Sequence, residues 1–225
     1  MLKNSKRMAS QTEENYLKRL YSLAGESGEV TISELSASLN VSTPTANSMV
    51  KNLHKQGLVH YEKYKPLSLT KLGETQAALI IRKHRLTEMY LVEKMGFGWE
   101  DVHEIAEQVE HIDSPAFFER MDELLGFPSI DPHGSPIPDQ NGNISPGQHF
   151  PLSDMKAGQS ARLAALAQSS SDFLKFLNSR DLALGTEILI VSVEPYDKSM
   201  VVSYPDHPTE TFTRTVCEQL LMEEL

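Results

Sequence analysis

The sequence predicts a mainly α protein with small β parts, divided into more than one domain, and three observations carry that prediction. Its 225 residues can bury more than one core. Apolar residues recur at helical spacing through most of the first 125 positions, and β-type runs are confined to residues 58–70 and the C-terminal third. Between these regimes six prolines and four glycines crowd residues 126–151, a density that neither a helix nor a central strand tolerates.

The elements follow in order. Tyr16, Leu17, Leu20, Tyr21 and Leu23 recur at helical spacing over residues 12–24, and Gly25 and Gly28 end that run. Residues 31–40 read as a short helix capped by Thr31 or Ser33, and Asn40-Val41-Ser42 as a turn. Thr43 then acts as an N-cap, with Pro44 opening a helix that runs to about Gln56 and stops at Gly57. Two helices joined by a tight turn, the second beginning with small polar residues, describe a helix-turn-helix, and residues 58–70 supply a β-hairpin wing around Lys65-Pro66. Ser42, Thr43, Pro44, Thr45, Asn47 and Ser48 stand where side chains reach base edges or phosphates. Lys51 follows on a later turn and Lys63 and Lys65 lie on the wing, so these nine residues are the candidate DNA contacts.

Residues 71–92, 100–112 and 114–125 carry three further helical patterns, separated by Gly96 and Gly98 and by Ser114-Pro115. His84 and Glu88 are four apart in the first; His103, Glu107, Glu110 and His111 fall at i, i+4, i+7 and i+8 in the second, on one helical stripe. Imidazole nitrogen and carboxylate oxygen without sulfur suit a divalent first-row metal such as Mn, Fe or Zn. The competing reading is a solvated polar face, which fits poorly beside Leu86, Met89, Leu91, Val92, Ile105, Ala106, Val109 and Ile112. The Pro-rich residues form a linker or a heavily turned connection, with His133 as a turn residue within it. Strands at 162–166, 187–193 and 199–204 around a helix at 171–178 then predict a small SH3-like β-barrel, closed by an amphipathic C-terminal helix that buries Cys217.

Net charge is −10, but its distribution is uneven. Residues 1–75 hold ten Lys/Arg against seven acids, and the remainder holds eleven against twenty-four. Only the first third suits a polyanion; the rest suits cations. One cysteine excludes an internal disulfide framework, and no apolar run is long enough to cross a bilayer, so a cytoplasmic protein with no membrane association is expected.

With both halves in place, the chain resembles the diphtheria-toxin-repressor family of metal-dependent transcriptional repressors. The likeness rests on Thr12-Glu13-Glu14-Asn15-Tyr16-Leu17, Arg82-Lys83-His84-Arg85-Leu86, Val102-His103-Glu104 through Glu110-His111, and the Pro132-His133-Gly134-Ser135-Pro136-Ile137-Pro138 segment. The resemblance implies a winged helix-turn-helix DNA-binding domain over 1–73 and a helical metal-binding and dimerisation domain over 74–127. A Pro-rich linker over 128–150 and a C-terminal SH3-like (FeoA-like) domain over 151–225 complete it. It further implies a regulatory metal site at Asn15, Glu107, Glu110 and His111. A second site would use His84, Glu88 and His103, completed from the third domain by Gln168, with Ser171 and Asp172 as neighbouring competitors.

Iron-responsive relatives place sulfur where this chain has Asn15 and Glu107, and manganese-responsive ones place carboxylates at both. Hard ligands around an imidazole therefore point to Mn(II), with Fe(II) as the alternative. The implied function is a homodimeric, non-enzymatic repressor that binds double-stranded operator DNA when metal-loaded and takes no small-molecule substrate. A metallohydrolase is the rival from another class; it lacks a His-Glu-x-x-His pattern, a nucleophile elbow or a phosphate-cradling glycine loop in this sequence. An interaction module, with the SH3-like domain binding the chain's own Pro136-Ile137-Pro138, is compatible with repression.

Overall fold

The structure is a computed structural model that describes residues 10–225 except 26 and 146. Lys3, Lys6, Arg7 and Pro146, which enter the charge and proline counts above, lie outside the described residues. The chain packs as two compact units: one holds the residues up to His84 with Glu107–Glu119 and Pro138–Ile144, the other Arg85–Ala106, Arg120–Ile137 and Ser145–Leu225.

In the first unit, α1 (Gln11–Ala24) and α2 (Ile32–Ser38) each begin with a reciprocal capping box, Ser10 with Glu13 and Thr31 with Glu34. α3 (Thr43–Lys55) is capped by Ser42, whose hydroxyl accepts from the Thr45 amide. The cap is thus Ser42 rather than Thr43, and Pro44 sits within the first turn, where its missing N–H costs nothing. The wing is a minimal antiparallel pair, β1 (Val59–His60) and β2 (Ser68–Leu69). Leu17, Leu20, Leu35, Ala46, Val50, Leu53 and Leu67 close the core, joined by Ala77 and Ile80 from α4 (Lys71–Met95).

Buried Glu13 does more than cap. Its Oε2 accepts from the Ser10 amide at 2.8 Å, while Oε1 accepts from Asn52 Nδ2 at 2.6 Å and Gln56 Nε2 at 2.7 Å. One carboxylate therefore fixes the start of α1 against the last turns of α3.

In the second unit lie the later turns of α4, the start of α5 (His103–Val109), most of α6 (Pro115–Leu125) and a six-stranded antiparallel sheet in the order β3-β8-β4-β5-β6-β7. Its strands are β3 (Phe150–Pro151), β4 (Ser160–Leu166), β5 (Glu187–Val193), β6 (Met200–Tyr204), β7 (His207–Phe212) and β8 (Leu220–Glu223), with α7 (Ser171–Asn178) and α8 (Arg214–Gln219) between them. Leu163, Leu174, Leu177, Ile188, Ile190, Val202, Phe212 and Cys217 fill the core beneath. The sequence predicts a C-terminal helix; the structure ends that helix at Gln219 and continues as β8, because Leu220 and Met222 alternate inward and pair with β4. Pairing in the sheet overrides the local helical pattern.

Within the Pro-rich residues of this unit, the stretch 131–137 is a turned, largely buried connection, while residues 126–130 are mostly exposed. Asp131 and His133 are buried, and the His133 carbonyl accepts from the Leu166 amide. Gly134, at φ +85°, runs so close to β4 that a Cβ there would lie 2.3 Å from the Ala164 carbonyl oxygen. Only glycine fits. Among the described residues no helix is long and apolar enough to cross a membrane.

Candidate metal centre and nucleic-acid face

Within the first unit, α1, α4 and the end of α5 converge on two carboxylates. Glu110 is fully buried and Glu107 half exposed, and one ammonium serves both: Lys18 Nζ lies 2.9 Å from Glu107 Oε1 and 2.7 and 2.9 Å from the two oxygens of Glu110. His84 Nδ1 reaches Glu110 Oε2 at 2.5 Å. His111 Nδ1 reaches Glu14 Oε2 at 2.5 Å, and its Nε2 faces Glu110 Oε1 at 3.8 Å. One ligand atom each from His84, Glu107 and Glu110 fall within 4.8 Å of one another.

The donor set fits a divalent cation. Carboxylate oxygens and imidazole nitrogens offer lone pairs, and the Asn15 Oδ1 is buried without a hydrogen-bond partner. An orphaned buried acceptor is costly in a protein interior unless something positive is meant to meet it. Glu14 holds the ring of His111 from the side opposite its Nε2, the carboxylate–imidazole arrangement that orients a metal-ligating histidine.

Of the residues expected at the regulatory site, Glu107, Glu110 and His111 come together. His84 Nδ1 also reaches Glu110, a contact the sequence reading did not include. Sequence reading missed Glu14 and Lys18: both lie on α1, and nothing in their local pattern announces partners roughly ninety positions downstream.

A second cluster lies wholly in the other unit. Glu88, Asp131 and His133 are all buried, with ligand atoms within 4.8 Å of one another. His133 Nδ1 stands 3.8 Å from Glu88 Oε2 and 4.0 Å from Asp131 Oδ1. Its Nε2 is 2.9 Å from the Trp99 carbonyl, which can only accept, so Nε2 carries the proton and Nδ1 is the atom turned to the carboxylates. Asp131 Oδ1 accepts from the amides of His133 and Ser135, which shapes the turn. Burial, then the neighbouring Glu88, holds the Asp131 carboxyl above its ordinary range. His103 is more than half exposed, its Nδ1 3.3 Å from Glu88 Oε1. Gln168 is exposed just beyond β4. Asp131 lies on no helical stripe and His133 reads as a turn residue, so spacing alone does not find this cluster.

The candidate DNA contacts lie on α3, mostly at its start, and on the wing of the first unit. Ser42, Thr43, Pro44, Thr45, Ser48 and Lys51 are exposed and Asn47 half-buried; Lys63 and Lys65 project from the wing. α3 contains no acidic residue. Lys63 Nζ lies 4.6 Å from the ring of exposed Tyr64, and Lys65 pairs with Glu62 at 2.7 Å in the open, a contact of little energetic weight.

Comparison with known proteins agrees with this architecture. Residues 8–67 match the family described as "Iron dependent repressor, N-terminal DNA binding domain", 70–139 "Iron dependent repressor, metal binding and dimerisation domain", and 150–220 "FeoA domain". The iron-dependent repressor IdeR of Mycobacterium tuberculosis is 35% identical over 127 residues, which cover 56% of this chain and 55% of that protein. The chain thus spans about half the length of that relative. The diphtheria toxin repressor of Corynebacterium efficiens is 30% identical over 193 residues, covering 80% of this chain and 83% of that protein. Among solved structures, a manganese-dependent transcriptional repressor in complex with manganese superposes with a TM-score of 0.85 at 26% identity, covering 95% of this chain and all of the other. ScaR with bound Cd2+ gives 0.80 at 31%, covering 95% and 99%. The chain therefore belongs to the diphtheria toxin repressor family.

Proposed function

We propose that this protein is a metal-dependent transcriptional repressor, which binds operator DNA as a homodimer when loaded with Mn(II) and so controls metal-uptake genes. The observation that carries the reading is the cluster of His84, Glu107 and Glu110, with His111 Nε2 3.8 Å from Glu110 Oε1 and, on α1, a buried Asn15 oxygen that has no hydrogen-bond partner. These are hard oxygen and imidazole ligands with no sulfur among them, a set that favours Mn(II). Iron(II) is the second reading, favoured by the 35% identity to IdeR.

Asn15, Glu107, Glu110 and His111, with His84, would hold the ion, and Glu88, Asp131 and His133, with His103, would hold a second. Bound there, an ion supplies two positive charges that the carboxylates share. The rest is done by the chain. Asn15 belongs to α1, and Glu13 two positions earlier grips Asn52 and Gln56 of α3. Fixing α1 against the end of α5 thereby fixes the recognition helix, and in a homodimer it sets the spacing of two such helices, which must match half-sites one DNA turn apart, ~34 Å. In this reading residues 1–73 read DNA, residues 74–127 dimerise and supply most of the metal ligands, and residues 151–225 form the SH3-like domain.

The test selects duplexes from a random pool in Mn(II), then compares their affinity with Mn(II), Fe(II), Co(II) and Zn(II) at matched free-ion activity, because raw affinities follow the Irving–Williams order whatever the cell supplies. Mn(II)-dependent binding lost in Glu110→Ala supports the reading. Equal affinity with and without metal ends it.

A further inference from the structure

Lys18 has no part in the metal site as expected from sequence, yet its ammonium contacts three carboxylate oxygens there. An ammonium has three donors, and Lys18 directs contacts of 2.9, 2.7 and 2.9 Å at Glu107 Oε1, Glu110 Oε1 and Glu110 Oε2. It takes up the carboxylates that, with His84, form the cation-binding group. A fully buried Glu110 needs a counter-charge, and Lys18 supplies it from α1. Ligand oxygens approach a first-row ion to about 2.0–2.2 Å, so an ion that takes the lone pairs Lys18 now uses displaces the ammonium. With one edge of the side chain reaching solvent at 18% exposure, the flexible four-carbon stem has a way out.

Resting on the metal-binding reading above, we propose that Lys18 is a built-in competitor for the regulatory ion. Its ammonium and a divalent cation occupy Glu107 and Glu110 in mutually exclusive fashion. Lys18 thus sets the metal concentration at which the site fills. Exchange replaces one positive charge by two against the same pair of carboxylates, and the pairing that tethers α1 to the end of α5 passes from Lys18 to Asn15. The residue determines the threshold of the response, and it does so without being a ligand.

The experiment measures Mn(II) binding to the full-length protein by competition with a fluorescent chelator, for the wild type, Lys18→Met and Lys18→Arg. In parallel, Lys18 is pulse-acylated with and without saturating Mn(II) and read by mass spectrometry against exposed Lys63. Removing the ammonium is expected to tighten Mn(II) binding by about tenfold or more, the value of a charge-assisted contact. The charge-preserving Lys18→Arg stays within about threefold of wild type on the same scale, and acylation of wild-type Lys18 rises when Mn(II) binds. Equal Mn(II) affinity in wild type and Lys18→Met overturns the competition while leaving the metal reading intact, as does Lys18 acylation unmoved by Mn(II). Tightening of equal size in both variants assigns the effect to altered packing and also overturns it. Absence of Mn(II) binding in wild type and Lys18→Met alike overturns both.

Discussion

At the scale of single residues, carboxylates with unlike partners do unlike work. Glu13 is structural: it is buried, closes a capping box and receives two side-chain amides from α3. Glu13→Ala strands those amides and opens the cap, and is expected to cost about 2–3 kcal/mol in urea unfolding. Asn15, two positions on, is neutral and its buried oxygen unpartnered. On the proposed reading, Asn15→Asp adds a negative charge at the metal site, and isothermal titration should show Mn(II) bound roughly tenfold more tightly. Cys217 marks the opposite extreme. Burial pushes its thiol up to about 11, so the neutral form is the folded form. Its contribution to stability is complete below the ordinary thiol range and drains away as pH climbs through about 11. At neutral pH the thiol should resist alkylation until the second unit unfolds, which mass spectrometry across a urea series would read.

Among the elements, helices declared themselves and convergence did not. Capping residues, glycine stops and 3.6-residue spacing place α1, α2, α3 and α4 close to their observed bounds, because each signal is local to its own helix. The helix expected over 100–112 is shorter, His103–Val109, so Glu107 lies on it while Glu110 and His111 fall in the turn that follows, and the four-residue stripe is not one helical face. Lys18 and Glu14 were not legible, since one helix's periodicity says nothing of what a helix some ninety residues away brings to it. β7 and the two-residue β3 escaped because edge pairing, not alternation, makes them strands, and β8 because its pairing with β4 overrides a local helical pattern. α3 and the wing carry a prediction of their own. Lys51→Ala and Lys63→Ala each remove an exposed cation from an acid-free helix or a wing tip. If both face phosphate, each lowers the slope of log affinity against log salt by about 1 and weakens binding evenly across sequences.

At the scale of the whole molecule, among the described residues of each packing unit, metal-capable side chains are brought together from positions far apart in the chain, His84, Glu107 and Glu110 in one and Glu88, Asp131 and His133 in the other. That arrangement predicts separable stoichiometry. Elemental analysis after dialysis against Mn(II) should show Asp131→Asn losing one equivalent and Glu110→Ala the other. Composition left the Pro-rich residues as a linker or a heavily turned connection; the turned connection delivers Asp131 and His133 to the second set, and Gly134 lets it pass against β4. Composition reports that helix and strand are forbidden there; it does not report burial.

The central claim is that the cage beside α1 couples metal to DNA. Fluorescence anisotropy of a selected duplex, titrated with wild-type protein and Glu110→Ala in the presence and absence of Mn(II), tests it most directly. Wild type should gain affinity on the order of 10- to 100-fold with Mn(II), and Glu110→Ala should gain none. A wild-type protein that binds the duplex equally well in both conditions, or a Glu110→Ala protein that keeps the full metal response, would contradict the account.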